Sequence, residues 1–218
     1  MHIKPKETAS LLDLACGQGI LARALPEKMA YIGVDLAPSL IRDAKKLDQN
    51  AAHEYIVSDV TKSLDVPQNH FSHAAIVLAL QNIEHPSQVF KNAYKHLNAD
   101  GKLYIVLNHP CFRIPRQSSW KVDDTQKLQY RRIDRYMSDM KIPIQAHPSK
   151  GEESAETWSF HFPLASYSKW LFQEGFVIEQ MEEWCSDKTS TGLAAKMENR
   201  CREEFPLFMA IVAKKITE

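Results

Sequence analysis

LLDLACGQGILARAL, residues 11–25, runs an apolar strand into a glycine-rich turn and, by its pattern, on into a helix. Within it GQGILA, Gly17 to Ala22, matches the G-x-G-x-x-[GA] turn that cradles dinucleotides, and Asp35 ends the next strand where an acid for ribose hydroxyls is expected. Glycines let a ligand come close to the backbone, and a helix start behind them offers unpaired N–H groups to an anion. Asp13, placed just before the glycines, argues against a phosphate there. Unit charges a few ångströms apart interact by about 1 to 4 kcal/mol depending on the dielectric, so a carboxylate repels a pyrophosphate and attracts a cation. Asp13 can also serve the turn itself by accepting local backbone bonds, and the two roles are compatible.

Outward from this turn, short apolar runs alternate with amphipathic segments. Strands are expected at Ser10–Ala15, Ala30–Asp35, His53–Ser58, His73–Ala79 and Lys102–Asn108, with helices filling the gaps. The clearest helix is Ser87–Leu97, which has Pro86 before it and NADG closing it. Strand and helix in this rhythm predict right-handed crossovers and a parallel sheet covered on both faces, with ligands at the strands' carboxyl ends. Asp13, Asp35 and Asp59 then line one edge. Asp59, in SDV, is placed for an adenine amine or, equally, to cap the segment that follows. From Pro110 to about Phe162 the rhythm breaks into an irregular stretch of arginines, aromatics and acids, read as a cap over the sheet edge. A helix at Leu164–Glu174, a strand at Phe176–Trp184, an irregular Ser186–Glu203 and a last strand at Leu207–Lys215 follow, the two strands forming an antiparallel hairpin.

Bulk properties narrow the function. The 218 residues hold 27 lysines plus arginines against 27 aspartates plus glutamates, which gives no electrostatic footprint for nucleic acid or an anionic membrane surface. Four dispersed cysteines without a CxxC pair fit reduced thiols in a cytoplasmic protein, and the longest apolar run, Ala74–Leu80, is too short to span a bilayer. One domain over residues 1–218, with residues 110–162 as a cap inserted for substrate, is the expectation. HFSH at His70 and His73 lacks a carboxylate partner, so no metal is expected.

LLDLACGQG, YIGVDLAPSLI, SDV and the strand, helix and strand of FSHAAIVLALQNIEHPSQVFKNAYKHLNADGKLYIVLNH together resemble the class I S-adenosylmethionine-dependent methyltransferases, in particular the broad small-molecule group called type 11. The resemblance implies an α/β Rossmann-like fold, with a seven-stranded sheet of order 3-2-1-4-5-7-6 and its last strand antiparallel. It implies S-adenosylmethionine as cofactor, a molecule with an ammonium, a sulfonium and no phosphate. Carried over residue by residue, Asp13, Ala15, Gly17 and Gly19 surround the methionine part, and Asp35 takes the ribose hydroxyls. Asp59 and Val60 meet the adenine, Leu78, Ala79, Leu80 and Gln81 line the sulfonium side, and Cys16, Leu36 and Ser58 complete the set. Ala15 departs from the glycine more usual in the family. Only about ten residues precede the first strand, where relatives carry further helices, so either the chain is a truncated form or the cap acts as the lid.

Methyl transfer is an in-line displacement, in which positioning contributes most and a general base adds about 10² to 10⁴. His109, directly after the fifth strand, is the leading base candidate, with plain loop packing as the bland alternative. Arg113 is placed for a substrate carboxylate or phosphate, and His161, in FHFPLASY, is the second histidine near the site. The expected activity is methyl transfer to an oxygen or nitrogen of a small molecule. The rivals are a nicotinamide-dependent oxidoreductase built on the same turn and a non-catalytic cofactor-binding subunit of a partner.

Overall fold

The computed structural model describes residues 9–145 and 156–217. β1 (Ser10–Leu14) alternates so that Leu12 and Leu14 enter one core while Leu11 and Asp13 face the opposite side, and all four are buried. The chain then passes the glycine turn to β2 (Ala30–Asp35), α1 (Pro38–Leu47), β3 (His53–Val57), β4 (Phe71–Val77), α2 (Pro86–His96) and β5 (Leu97–Asn108). β6 (Ser118–Asp123) pairs antiparallel with β7 (Leu128–Ile133), and β8 (Met140–Gln145) with β9 (Glu156–His161). α3 (Leu164–Gln173), β10 (Phe176–Trp184), α4 (Ala195–Glu204) and β11 (Phe208–Lys215) complete the fold.

The main sheet has seven strands in the order β10-β11-β5-β4-β1-β2-β3, with β11 antiparallel to β5. Setting the hairpin strands β6–β9 aside, this is the order expected from the sequence. Parallel pairing from β3 through β5 aligns the carboxyl ends of β1, β2, β3, β4 and β5 along one edge. α2 and α3 pack on one face around Val89, Phe90, Ala93, Tyr167 and Leu171, and α1 packs on the other through Ile41 and Ala44. Among the described residues no helix is long and apolar enough to cross a membrane.

Four expectations are corrected. The helix after the glycine turn is a single 3-10 turn at Ala22–Ala24. Only ten residues separate Gly19 from β2, and Pro26 among them both lacks an N–H and disfavours helix at the residue before it. No helix fills the β3–β4 gap: residues 58–70 cross in turns, with Asn92 of α2 donating to the Val60 and Lys62 carbonyls at 2.7 and 2.6 Å. The irregular 110–162 stretch contains the two hairpins β6–β7 and β8–β9, while its residues 146–155 lie outside the described residues. The stretch read as irregular at Ser186–Glu203 holds α4, whose Cys201 is buried and donates to Gln129 O of β7. Smaller shifts begin α2 at Pro86 and β5 at Leu97.

Candidate active site

The turn after β1 is built on left-handed backbone: φ is +62° at Ala15, +56° at Gly17 and +67° at Gly19. A Cβ on Gly17 would meet nothing within 4 Å, which leaves the space above it open to a ligand, whereas one on Gly19 would lie 2.6 Å from the Tyr55 hydroxyl. Asp35, at the end of β2, closes the turn from the side: its carboxylate accepts from Gly17 N and Ala37 N, both at 2.9 Å. These bonds hold the acid at the strand end and leave each oxygen a further lone pair for a hydroxyl.

Asp13 lies beneath the turn. It is 3% exposed and accepts from the Tyr31 hydroxyl at 2.7 Å. Burial pushes its carboxyl up to about 7, while the Tyr31 bond pulls it down and the Asp35 charge raises it further. Asp13 therefore carries only part of a negative charge at neutral pH, and its hydrogen bond runs to a side chain of β2 rather than to its own turn. Any repulsion of a diphosphate falls mainly to Asp35. Burial also pushes the Cys16 thiol up, so it packs as a neutral group.

Asp59 Oδ1 accepts from Thr61 N at 2.9 Å and Thr61 Oγ1 at 2.7 Å, bonds that hold its carboxyl below the usual range. The local capping role is present, and Oδ2 faces outward, 3.7 Å from Lys62. Ser58 N bonds Asp35 O at 3.0 Å, which links this loop to β2, and Val60 is buried. Leu36 is 67% exposed and Leu78 is 40% exposed with φ +52°. Ala79 is half-buried and Leu80 buried in the 3-10 turn that follows. An edge of acids with exposed apolar side chains between them fits a nucleoside that brings positive charge and no phosphate. Arg23, not singled out in the sequence, bonds the Gln18 and Gly19 carbonyls at 2.6 and 3.2 Å. Its spacing from the glycines was the available signal.

A cavity lies where β9 and α3 meet the ends of β4 and β5, lined by Gln81, Asn108, Arg113, Ser159, His161 and Tyr167 among others. Three of these, Asn108, Ser159 and Tyr167, were not expected; the last two come from β9 and α3, distant in sequence from the ends of β4 and β5. His161 is 4% exposed, and its Nε2 donates to Tyr136 O at 2.7 Å, which leaves Nδ1 as the lone-pair nitrogen. Burial lowers its pKa and keeps the ring neutral. His109 is buried outside the cavity lining: its Nδ1 accepts from Cys111 N at 3.2 Å and its Nε2 bonds Glu183 of β10 at 2.7 Å. Both ring nitrogens are thus engaged. Arg113 lies over the Phe208 ring, 4.8 Å from its centroid. Among the described residues no group of His, Cys, Asp and Glu could hold a metal ion.

Residues 12–105 match the family model described as a methyltransferase domain. The chain is similar to a demethylmenaquinone methyltransferase of Chlamydia trachomatis, 33% identical over 104 residues that cover 46% of this chain and 44% of the relative. A ubiquinone biosynthesis O-methyltransferase of Xylella fastidiosa is 27% identical over 104 residues, 46% of this chain and 42% of that protein. The match thus spans under half the length of these curated relatives. Over its whole length the fold resembles an S-adenosylmethionine-dependent methyltransferase of Mesorhizobium loti, with TM-score 0.76, 23% identity, and 97% and 93% of the two chains covered.

Proposed function

We propose that the chain methylates an oxygen or nitrogen of a small molecule held in the cavity under the cap, a reading supported by the match of residues 12–105 to the methyltransferase domain model and by a sheet with the fold of a solved S-adenosylmethionine-dependent methyltransferase. The observation that carries the proposal is adjacency. The open turn at Gly17, closed by Asp35, and the cavity at Gln81 and Asn108 lie along the same carboxyl edge of one sheet.

S-adenosylmethionine, when bound, supplies an electrophilic methyl carbon on a sulfonium. Gly17, Asp35, Leu36 and Asp59 would hold the nucleoside and methionine parts along β1 to β3, with Leu78 to Gln81 beside the sulfonium. As an acceptor atom bonded to that carbon, the carbon–sulfur bond would break to leave S-adenosylhomocysteine, and the acceptor's proton would go to Nδ1 of His161. Tyr136 O orients that ring, and burial keeps it unprotonated near neutral pH. His109 is assigned to positioning: it ties the loop after β5 to Glu183 and so sets where Arg113 lies. Most of the acceleration comes from alignment, for which well-oriented pairs reach effective molarities on the order of 10⁵ to 10⁸ M.

Calorimetric titration with S-adenosylhomocysteine and NADH, followed by methyl incorporation from radiolabelled S-adenosylmethionine across a panel of small acceptors, tests the proposal. Micromolar binding of S-adenosylhomocysteine with labelled product supports it. Binding of NADH with none of S-adenosylhomocysteine overturns it in favour of an oxidoreductase, and tight cofactor binding with no product from any acceptor favours a non-catalytic subunit.

A further inference from the structure

Two groups lining the cavity lack the partners that their chemistry calls for. The Gln81 amide donates from Nε2 to Leu78 O at 2.6 Å, which fixes which end of the amide is nitrogen. Its Oε1 is buried and accepts from nothing among the described residues. A buried carbonyl left without a donor is a costly arrangement, and it is relieved when a ligand brings an N–H or O–H.

The second group is the Arg113 guanidinium. Its contact among the described residues is the Phe208 ring, with no carboxylate facing it, and its pKa is lowered by loss of solvent alone. Arg131 is close enough for the two charges to repel, and two of its five N–H groups are used on Phe112 O at 2.6 Å and Ser118 Oγ at 2.8 Å, with its face over Trp120 at 4.9 Å. Glu183, which reaches the loop after β5, is engaged by His109 at 2.7 Å. Arg113 thus presents an unpaired fork of N–H donors, backed by a second cation, at the cavity wall.

Resting on the methyl-transfer proposal for the same cavity, the geometry points to an acidic acceptor. The molecule carries an N–H or O–H that Gln81 Oε1 accepts and a carboxylate or phosphate that the Arg113 fork holds. Gln81 follows β4 and Arg113 follows β5, so the two contacts grip the molecule from adjacent strands and fix its orientation towards the sulfonium side. A neutral acceptor would leave Arg113 unpaired, and an acceptor without a donor would leave Gln81 Oε1 as it stands.

The test uses the full chain with saturating S-adenosylhomocysteine and reads binding by calorimetry. The probes are 4-hydroxybenzoate and 3-hydroxybutyrate, each beside its amide, with benzoate as the acid lacking the hydroxyl and phenyl phosphate beside phenol for the phosphate case. At least one acid is expected to bind at least tenfold tighter than its neutral partner, and 4-hydroxybenzoate several-fold tighter than benzoate. Arg113→Gln should abolish the preference for the acid, Arg113→Lys should keep part of it, and Gln81→Met should abolish the preference for the hydroxyl, with unchanged melting showing that each variant folds. Acids binding no tighter than their neutral partners, weak binding of both included, overturn the proposal. So does an acid preference that survives in folded Arg113→Gln. Failure of the methyl-transfer proposal is read separately, as absence of S-adenosylhomocysteine binding in the same titrations.

Discussion

Asp35 closes the glycine turn through two backbone N–H groups and keeps a further lone pair on each oxygen, which the proposed function assigns to the sugar. Asp35→Ala should therefore weaken S-adenosylhomocysteine binding by about 1 to 3 kcal/mol, read by calorimetry, and unchanged affinity would remove the residue from the site. Asp13 behaves differently because it is buried. Its folded-state carboxyl titrates near 7 against an ordinary value of 3.8, so the folded protein holds a proton that the unfolded chain gives up. The contribution to stability is full below the ordinary carboxylate range and lost as pH rises through about 7. Asp13→Asn should then be more stable than the parent at pH 8.5, by on the order of 4 kcal/mol, with the gap narrowing as pH falls below about 7 and closing only at the ordinary carboxylate value of 3.8. His161 is argued from the same physics. Burial lowers its pKa, so turnover should rise with pH to a plateau, with the midpoint of the rise below the ordinary histidine value. His161→Gln should lower kcat by about 10² or more and erase the acid limb of the profile, and an acid limb that persists would place the titrating group elsewhere.

At the scale of elements, the glycine turn works without a full helix behind it. The 3-10 turn at Ala22–Ala24 is too short to gather a helix dipole, so the close approach at Gly17 and the Asp35 clamp carry the binding surface. Gly19 is left-handed and fenced by the Tyr55 hydroxyl, which Asp48 accepts at 2.5 Å. Gly19→Ala should cost about 1 to 3 kcal/mol of stability, read as a lower melting temperature. On the other side of the sheet, Lys215 at the end of β11 reaches the end of α2. Its ammonium donates to Tyr94 O at 2.8 Å, Leu97 O at 2.7 Å and Asn69 Oδ1 at 3.0 Å. Lys215→Met keeps the volume and strips those three acceptors of their donor. A loss of about 2 kcal/mol, or roughly 4 to 8 °C in melting temperature for a chain of this size, is expected.

For the whole molecule, a ligand that binds only the folded state stabilises it by mass action, about 2.7 kcal/mol at a hundredfold excess over Kd. S-adenosylhomocysteine should raise the melting temperature accordingly, while NADH at equal concentration should not. What was legible from the residue order was the local part. Alternating apolar residues mark β1 to β5, a glycine turn can be seen as a run of letters, and acids on three successive strands fall at or near strand ends because each strand is short and each crossover returns to the same edge. The charge state of Asp13 was not legible, because it depends on burial against Tyr31, eighteen residues away. Nor was the cap: strands β6 to β9 carry arginines and aromatics without clean alternation, since hairpins that pack on one side of a domain bury few of their residues. The engagement of His109 by Glu183 and, among the described residues, the free Nδ1 of His161 and the unpartnered Gln81 Oε1 follow from contacts between segments up to 74 residues apart. Local sequence therefore determined the sheet and the acids and glycines at its carboxyl edge, whereas which cavity groups keep unused donors or acceptors was decided only when long-range packing had engaged the others.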